Sequence, residues 1–369
     1  MQLVKTQRDN LLRPLQIVSG IVERRHTLPI LANLLIRKHG QDISFLSTDL
    51  ELQITTTADC GVGADDVATT VAARKLLDIL RNMPDAEVAL SLEDKRLTVK
   101  AGKSRFQLQT LAADEFPTVA EAKDYAASFA LPQRAFRQLL GMVHFAMAQQ
   151  DIRYYLNGML LVVDGEKIEA VATDGHRLAY CNVTIAGEKF TRQEVIIPRK
   201  TILELQRLLE DIDDPVQIDV APNQVKFRFA NVELVSKLVE GKFPDFNRVI
   251  PKGYSNSFVI GREELHRSLQ RAAIVTSDKF KGVRFLIEKE NQLKIVAQNS
   301  EYEEAEEELE IDYTGEFVNI GFNVTYLLDV LSNLKVEQVK VSLGDANSSA
   351  LITLPDNDEF KYVVMPMRI

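Results

Sequence analysis

The stretch of this chain that most resembles catalytic machinery is Thr173-Asp174-Gly175-His176-Arg177. Asp174 and His176 are residue types that can act as an acid–base pair. Catalysis would also need a nucleophile or a metal partner, and none accompanies them at a recognisable spacing. Gly61-Val62-Gly63 begins like a dinucleotide loop, but Asp66 stands where the third glycine belongs. Gly102-Lys103-Ser104 resembles the end of a phosphate-binding loop, yet Leu97 replaces the upstream glycine. The five histidines (His26, His39, His144, His176, His266) show no metal-ligand spacing. Asp211, Asp213 and Asp214 before Pro215 read as a helix end and loop. Cys60 and Cys181 form no CxxC pair and suit buried, inert thiols in a reducing cytoplasm. The expectation is a protein that is not an enzyme, with no catalytic residues, metal or cofactor.

With 369 residues, 46% hydrophobic and 26% charged, the chain should form two or three soluble, globular domains. No apolar run approaches a membrane span, and polar residues interrupt every candidate signal core around Lys5, Arg8 and Arg13. A cytoplasmic location without membrane partners follows as an expectation. The net charge of −9 argues against nucleic-acid binding only superficially, because seven glutamates fall between Glu301 and Glu310. The remainder is near balance and leaves room for a local basic surface.

The elements recur three times. Amphipathic helices are predicted at Arg8 to Val22, Pro132 to Met147, and Arg262 to Val275. Each precedes two strands around a polar turn: Asn33–Arg37 with Ile43–Ser47, Gly158–Val163 with Ile168–Ala172, and Val283–Glu288 with Leu293–Ala297. A second helix follows at Ala73 to Met83, Arg199 to Leu209, and Asn323 to Leu334. Strands ending in Phe106–Leu111, Val232–Leu238 and Phe360–Val364 close the units. Thr118 to Ser128 and Pro251 to Ser257 suit linkers. The fold class is therefore α+β, with three units of about 125 residues at 1–127, 128–256 and 257–369.

Two helices cover one side of each unit's sheet, so their polar faces meet whatever lies within. Those faces carry Arg8, Arg13, Arg81, Arg134, Arg137, Arg199, Lys200, Arg207, Arg262, Arg267 and Arg271. A basic surface without base-reading groups binds DNA weakly and without sequence preference. A closed ring would replace affinity with topology, and such a chain could close by pairing head to tail with a second copy.

Six segments then carry a family resemblance: Thr27-Leu-Pro-Ile-Leu-Ala-Asn33, Gln150-Asp-Ile-Arg-Tyr-Tyr-Leu-Asn-Gly158, Ala172-Thr-Asp-Gly-His-Arg-Leu-Ala179, Ile197-Pro-Arg-Lys200, Gly241-Lys-Phe-Pro-Asp245 and Tyr362-Val-Val-Met-Pro-Met-Arg368. Together they make the whole chain resemble the beta sliding clamp of bacterial DNA polymerase III. The resemblance implies three clamp-type domains per chain and a head-to-tail homodimer forming a six-domain closed ring around duplex DNA. It implies partners that dock short peptides: the replicative polymerase alpha subunit, other polymerases, the clamp loader, ligase and mismatch-repair proteins.

By the same resemblance, one wall of the peptide cleft uses Leu156, Thr173, Gly175, His176, Arg177 and Leu178, with Gly175 permitting a tight turn. Pro244, Arg248 and Val249 join them. Asn323, Tyr326, Ser349, Val363, Met365, Pro366, Met367 and Arg368 supply the other wall. A methionine-rich groove adapts to varied peptides. Pro366 cannot donate to a sheet, so the strand should end there and leave the following residues free to form a groove. DNA phosphate contact is implied for Arg25, Gln150, Tyr154, Tyr155, Arg199 and Lys200; Gln149 stands where a histidine is common. The dimer interface is implied for Lys75, Arg105, Phe106 and Leu108 against Ile274, Val275, Glu301 and Glu304, with Val275 where leucine is frequent. The rival reading is a peptide-binding scaffold that does not encircle DNA.

Overall fold

The computed structural model describes the chain except for residues 24–27, 64, 186, 188, 278–280, 289–290 and 369. Its α-helices are α1 (Arg8–Val18), α2 (Ala73–Asn82), α3 (Gln133–Gly141), α4 (Arg199–Leu208), α5 (Arg262–Ala273) and α6 (Val324–Asn333). Each buries an apolar stripe at helical spacing: Leu11, Leu15 and Val18 in α1, Leu76, Leu77 and Leu80 in α2, Leu327, Val330 and Leu331 in α6.

The first helix of each repeat is shorter than its periodicity predicts. After Val18 the chain tightens into a 3₁₀ turn, Ser19–Ile21, and after Gly141 another forms at His144–Ala146. Ile21, Val22, Val143 and Met147 remain buried, so core contact outlasts α-helical hydrogen bonding and the apolar pattern overruns the helix. The strands fall where expected, within a few residues. The expected domain boundaries at 127/128 and 256/257 fall at the first residues of the strands Ala127–Pro132 and Asn256–Gly261.

The described residues form sheets of twelve, eight and four strands, and every pairing is antiparallel. Two sheets continue from one repeat into the next. Val232–Lys237 of the second repeat pairs with Leu52–Asp59 of the first. Arg177–Thr184 of the second pairs with Asn357–Val364 of the third. Consequently the chain divides into two compact units rather than three, residues 1–134 with 207–238 and residues 135–206 with 239–369. The first unit contains the twelve-stranded sheet and the second contains the other two.

In the second unit, Gly158 opens a strand whose partner across the ladder is Pro198. A Cβ at Gly158 would lie 2.5 Å from the Ile197 carbonyl oxygen and 2.9 Å from Ile196 Cγ2. Backbone cannot yield as a flexible side chain does. Gly158→Ala is therefore expected to destabilise by about 1–3 kcal/mol, read as a lower denaturant midpoint; an unchanged midpoint would refute the close approach.

Candidate functional site

The Thr173–Arg177 turn is held by its own polar groups. Asp174 Oδ1 accepts the backbone N–H groups of His176 and Arg177 at 2.9 and 3.1 Å. Thr173 Oγ1 accepts the N–H of Gly175 at 3.1 Å and donates to the Arg177 carbonyl at 2.5 Å. Gly175 has φ +89°, a conformation that favours glycine; a Cβ there would meet only the movable end of the Arg153 side chain, Nη1 at 2.8 Å. Asp174 thus shapes a turn.

Arg177 is the centre of this region, with a side chain only 9% exposed. Its Nε donates to Asp174 Oδ2 at 3.1 Å, Nη1 to Asp329 Oδ2 at 2.5 Å and Nη2 to the Phe145 carbonyl at 2.7 Å. Its guanidinium also lies over the Tyr326 ring, 4.5 Å from the centroid. A planar, multiply donating cation suits such a buried, many-partnered position.

The tail beyond the strand Asn357–Val364 is less free than its sequence suggests. The strand does end at Val364, but Met365 N–H donates to the His176 carbonyl at 2.9 Å and Met367 N–H to the Gly321 carbonyl at 2.7 Å. Pro366, which has no N–H, sits between these two anchors. Beneath the expected cleft lies a buried cluster containing Leu156, Leu178 and Val363 together with Phe243 and Phe246. Those three expected cleft residues are core, and Thr173 is also buried. The exposed apolar members are Met365 and Val249, at 48% and 46%. Arg248 ends the short turn Phe246–Arg248, which Val249 follows and Pro244 precedes by two residues, and it pairs with Asp245 at 2.9 Å. Asn323 caps α6, its Oδ1 accepting from Thr325 N–H at 2.9 Å. Ser349 precedes Ala350, which pairs with Val364, and its carbonyl accepts from Tyr254 Oη at 2.5 Å. Arg368 is exposed.

A cavity of 560 Å³ adjoins the turn and is lined by His144, Phe145, His176, Arg177, Arg199 and Tyr326 among others. Burial, and then the Arg177 charge, lowers Arg199 from the usual guanidinium range. Burial likewise lowers His144 from 6.5. Arg199, expected at DNA, therefore shares a cavity with three expected cleft residues, His176, Arg177 and Tyr326; its Nη1 donates to the Met147 carbonyl at 3.3 Å. Lys200 follows it on α4. Gln150 adopts φ 56°, and Tyr154, 57% exposed, stands edge-on to Tyr155 at 5.9 Å. Arg25 lies outside the described residues. Asp329 and Phe145 escaped sequence reasoning. The available signal was that Asp329 is the lone charged residue of α6.

The expected interface residues fall on two unusual strands. In the first unit, Ser104–Leu111 is exposed along nearly its whole length, including Phe106 at 42%. It pairs with Arg96–Ala101 on one side; on the other, among the described residues, only Thr110 and Leu111 find partners. Arg105, Phe106 and Leu108 thus lie along an open ladder, and Lys75 is exposed on α2. The glycine–lysine pair that resembled a phosphate loop is the hairpin turn leading into this strand. In the second unit, Glu304–Glu310 is the edge of the four-stranded sheet. There Lys294 pairs with Glu306 and Glu308, and Arg271 of α5 with Glu307. Ile274, just past α5, is 81% exposed; Val275 is half-buried, and Glu301 and Glu304 are exposed.

Repeated helix-and-sheet units whose sheets run on from one repeat into the next define a clamp-type scaffold. Three family models of the DNA polymerase III beta subunit match in succession: the N-terminal domain at residues 1–120, the central domain at 130–245 and the C-terminal domain at 247–368. The beta sliding clamp of Pseudomonas putida is 47% identical over 364 residues, covering 98% of this chain and 99% of the relative. That of Escherichia coli K12 is 44% identical over the same shares. A crystal structure of the Pseudomonas aeruginosa clamp bound to griselimycin superposes with a TM-score of 0.96 at 46% identity, covering 100% of both chains. The chain belongs to the DNA polymerase III beta subunit family, the beta sliding clamps, which are non-catalytic processivity factors.

The loop from Gln150 to Asn157 offers a pH test. Hydrogen bonds from the Arg153 side chain, and then its backbone N–H, hold Asp151 at about 2 against an ordinary 3.8. A depressed carboxylate contributes stability that is present above its unfolded value and is lost as pH falls through the folded value. An NMR titration should therefore place the Asp151 midpoint near 2, and Arg153→Gln should move it upward. A wild-type midpoint near 3.8 would contradict the clasp.

Proposed function

We propose that two copies of this chain close head to tail into a ring around duplex DNA and tether the replicative polymerase to it. The observation that carries the ring is a pair of strands, each with an open side among the described residues. Ser104–Gln109, paired on one side and open on the other among the described residues, carries Arg105 and Phe106. Glu304–Glu310 offers an acidic edge beside the exposed Ile274. Joining one edge to the other copy's complementary edge satisfies both ladders and covers the apolar residues. A twofold arrangement repeats that contact and leaves no open end.

Within the ring, Arg25, Gln150, Tyr154, Tyr155, Arg199 and Lys200 contact phosphates without reading bases. Such contacts are weak, typically about 10⁻⁴ to 10⁻⁶ M at physiological salt, and that weakness permits sliding. The groove floored by Leu156, Leu178 and Val363 and edged by Val249, Met365 and Met367 receives short peptides from the polymerase alpha subunit. The same groove serves the clamp loader, other polymerases, ligase and mismatch-repair proteins in turn. The working compartment is the cytoplasm. The domains run 1–127, 128–256 and 257–369, and the family-model matches fall close to these bounds.

Topology separates this reading from a peptide scaffold that merely touches DNA. Protein loaded onto nicked circular DNA should survive a high-salt wash and be lost once that DNA is linearised. Equal retention on both forms would overturn encirclement. The interface has its own test. Replacing Ile274 and Val275 with alanine removes about 1–3 kcal/mol of apolar burial per site at each contact. Sedimentation should then show a folded monomer at concentrations where the parent is dimeric; an undisturbed dimer would place the interface elsewhere.

A further inference from the structure

We propose that the Arg177–Asp329 ion pair is a positioning element that holds the two walls of the peptide cleft at a fixed spacing. The inference rests on the reading of that groove as a peptide site.

The Thr173–Arg177 turn belongs to the second repeat, whereas Asp329 on α6 and the Met365–Arg368 tail belong to the third. Four connections link these parts into a closed circuit. Arg177 Nη1 reaches from the turn to Asp329 Oδ2 at 2.5 Å. The same guanidinium lies over Tyr326, one helical turn before Asp329 on α6. The Tyr326 carbonyl accepts from Tyr362 Oη at 2.9 Å, and Tyr362 lies on the strand that leads into the tail. Met365 N–H closes the circuit by donating to the His176 carbonyl in the turn at 2.9 Å.

The partners of Arg177 are not equivalent. Asp174 is three residues away in its own turn, and the Phe145 carbonyl belongs to the same repeat. Only Asp329, among its carboxylate partners, belongs to the other wall. Removing Asp329 leaves Arg177 paired with Asp174, so the turn keeps its local structure while the charged link between the walls is lost. The backbone ladder already joins Arg177 to Val364, so what the charge-assisted bond adds is the position of α6, and with it Tyr326 and the strand that Tyr362 anchors, against the turn.

The test uses the full-length protein, a fluorescein-labelled synthetic peptide with the sequence of the alpha subunit's clamp-docking segment, and hydrogen exchange without peptide. Asp329→Ala should speed exchange at the Met365 amide and weaken peptide binding about tenfold, as expected for loss of a bond to a charged group. Asp329→Glu restores the charge and should recover both readouts. Weakened binding with unchanged Met365 exchange would show that Asp329 touches the peptide directly and would overturn the positioning role. Unchanged binding and exchange would overturn it as well. A parent protein that fails to bind the peptide overturns the reading of the groove and takes this proposal with it. A parent that binds while Asp329→Ala binds equally overturns this proposal alone.

Discussion

A strand at the margin of a sheet carries a row of N–H and C=O groups that must find partners or remain in water. Each repeat of this chain has such margins, and the fold answers them chiefly by extending sheets across repeat boundaries. Val232–Lys237 continues the sheet of the first repeat, and Asn357–Val364 continues that of the second. The backbone ladder is therefore what organises the chain. It explains why the compact units cut through the second repeat, and two of the margins it leaves open, Ser104–Gln109 and Glu304–Glu310, are those proposed to join two copies.

The same continuity underlies the proposed groove. Pairing of Arg177–Thr184 with Asn357–Val364 brings the Thr173–Arg177 turn and the methionine tail to adjacent strand ends. Apolar packing of Leu156, Leu178, Phe246 and Val363 then makes the floor, and hydrogen bonds fix the rims. A groove of this kind has a rigid base with adaptable methionines at its margin. That division of labour fits the proposed reading of the groove as a site for several different peptides.

Periodicity made the six helices and most strands legible, because burial of one face leaves its spacing in the sequence. It overran the ends of α1 and α3, where Ile21 and Met147 stay buried after the α-helix has stopped. Sheet continuity was not legible, since strand order leaves no local trace. The Arg177–Asp329 pair spans 152 residues and was hidden for the same reason. Asp174 and His176 showed the converse difficulty. A turn-forming aspartate next to a histidine has the composition of an acid–base site, and only the hydrogen bonds to His176 and Arg177 N–H distinguish the two. The expected cleft residues came from family resemblance rather than spacing, and the structure divides them into buried (Leu156, Thr173, Leu178, Val363) and exposed (Met365, Val249).

The acidic edge has a consequence for assembly errors. Five of the seven residues in Glu304–Glu310 are glutamates. Antiparallel pairing of this strand with its own counterpart would bring like charges opposite one another, which disfavours the match. The edge is thus self-avoiding while still able to accept a basic or neutral strand. Crowding many copies together therefore does not favour a fibril seeded through this margin, although an exposed strand is ordinarily a template for one.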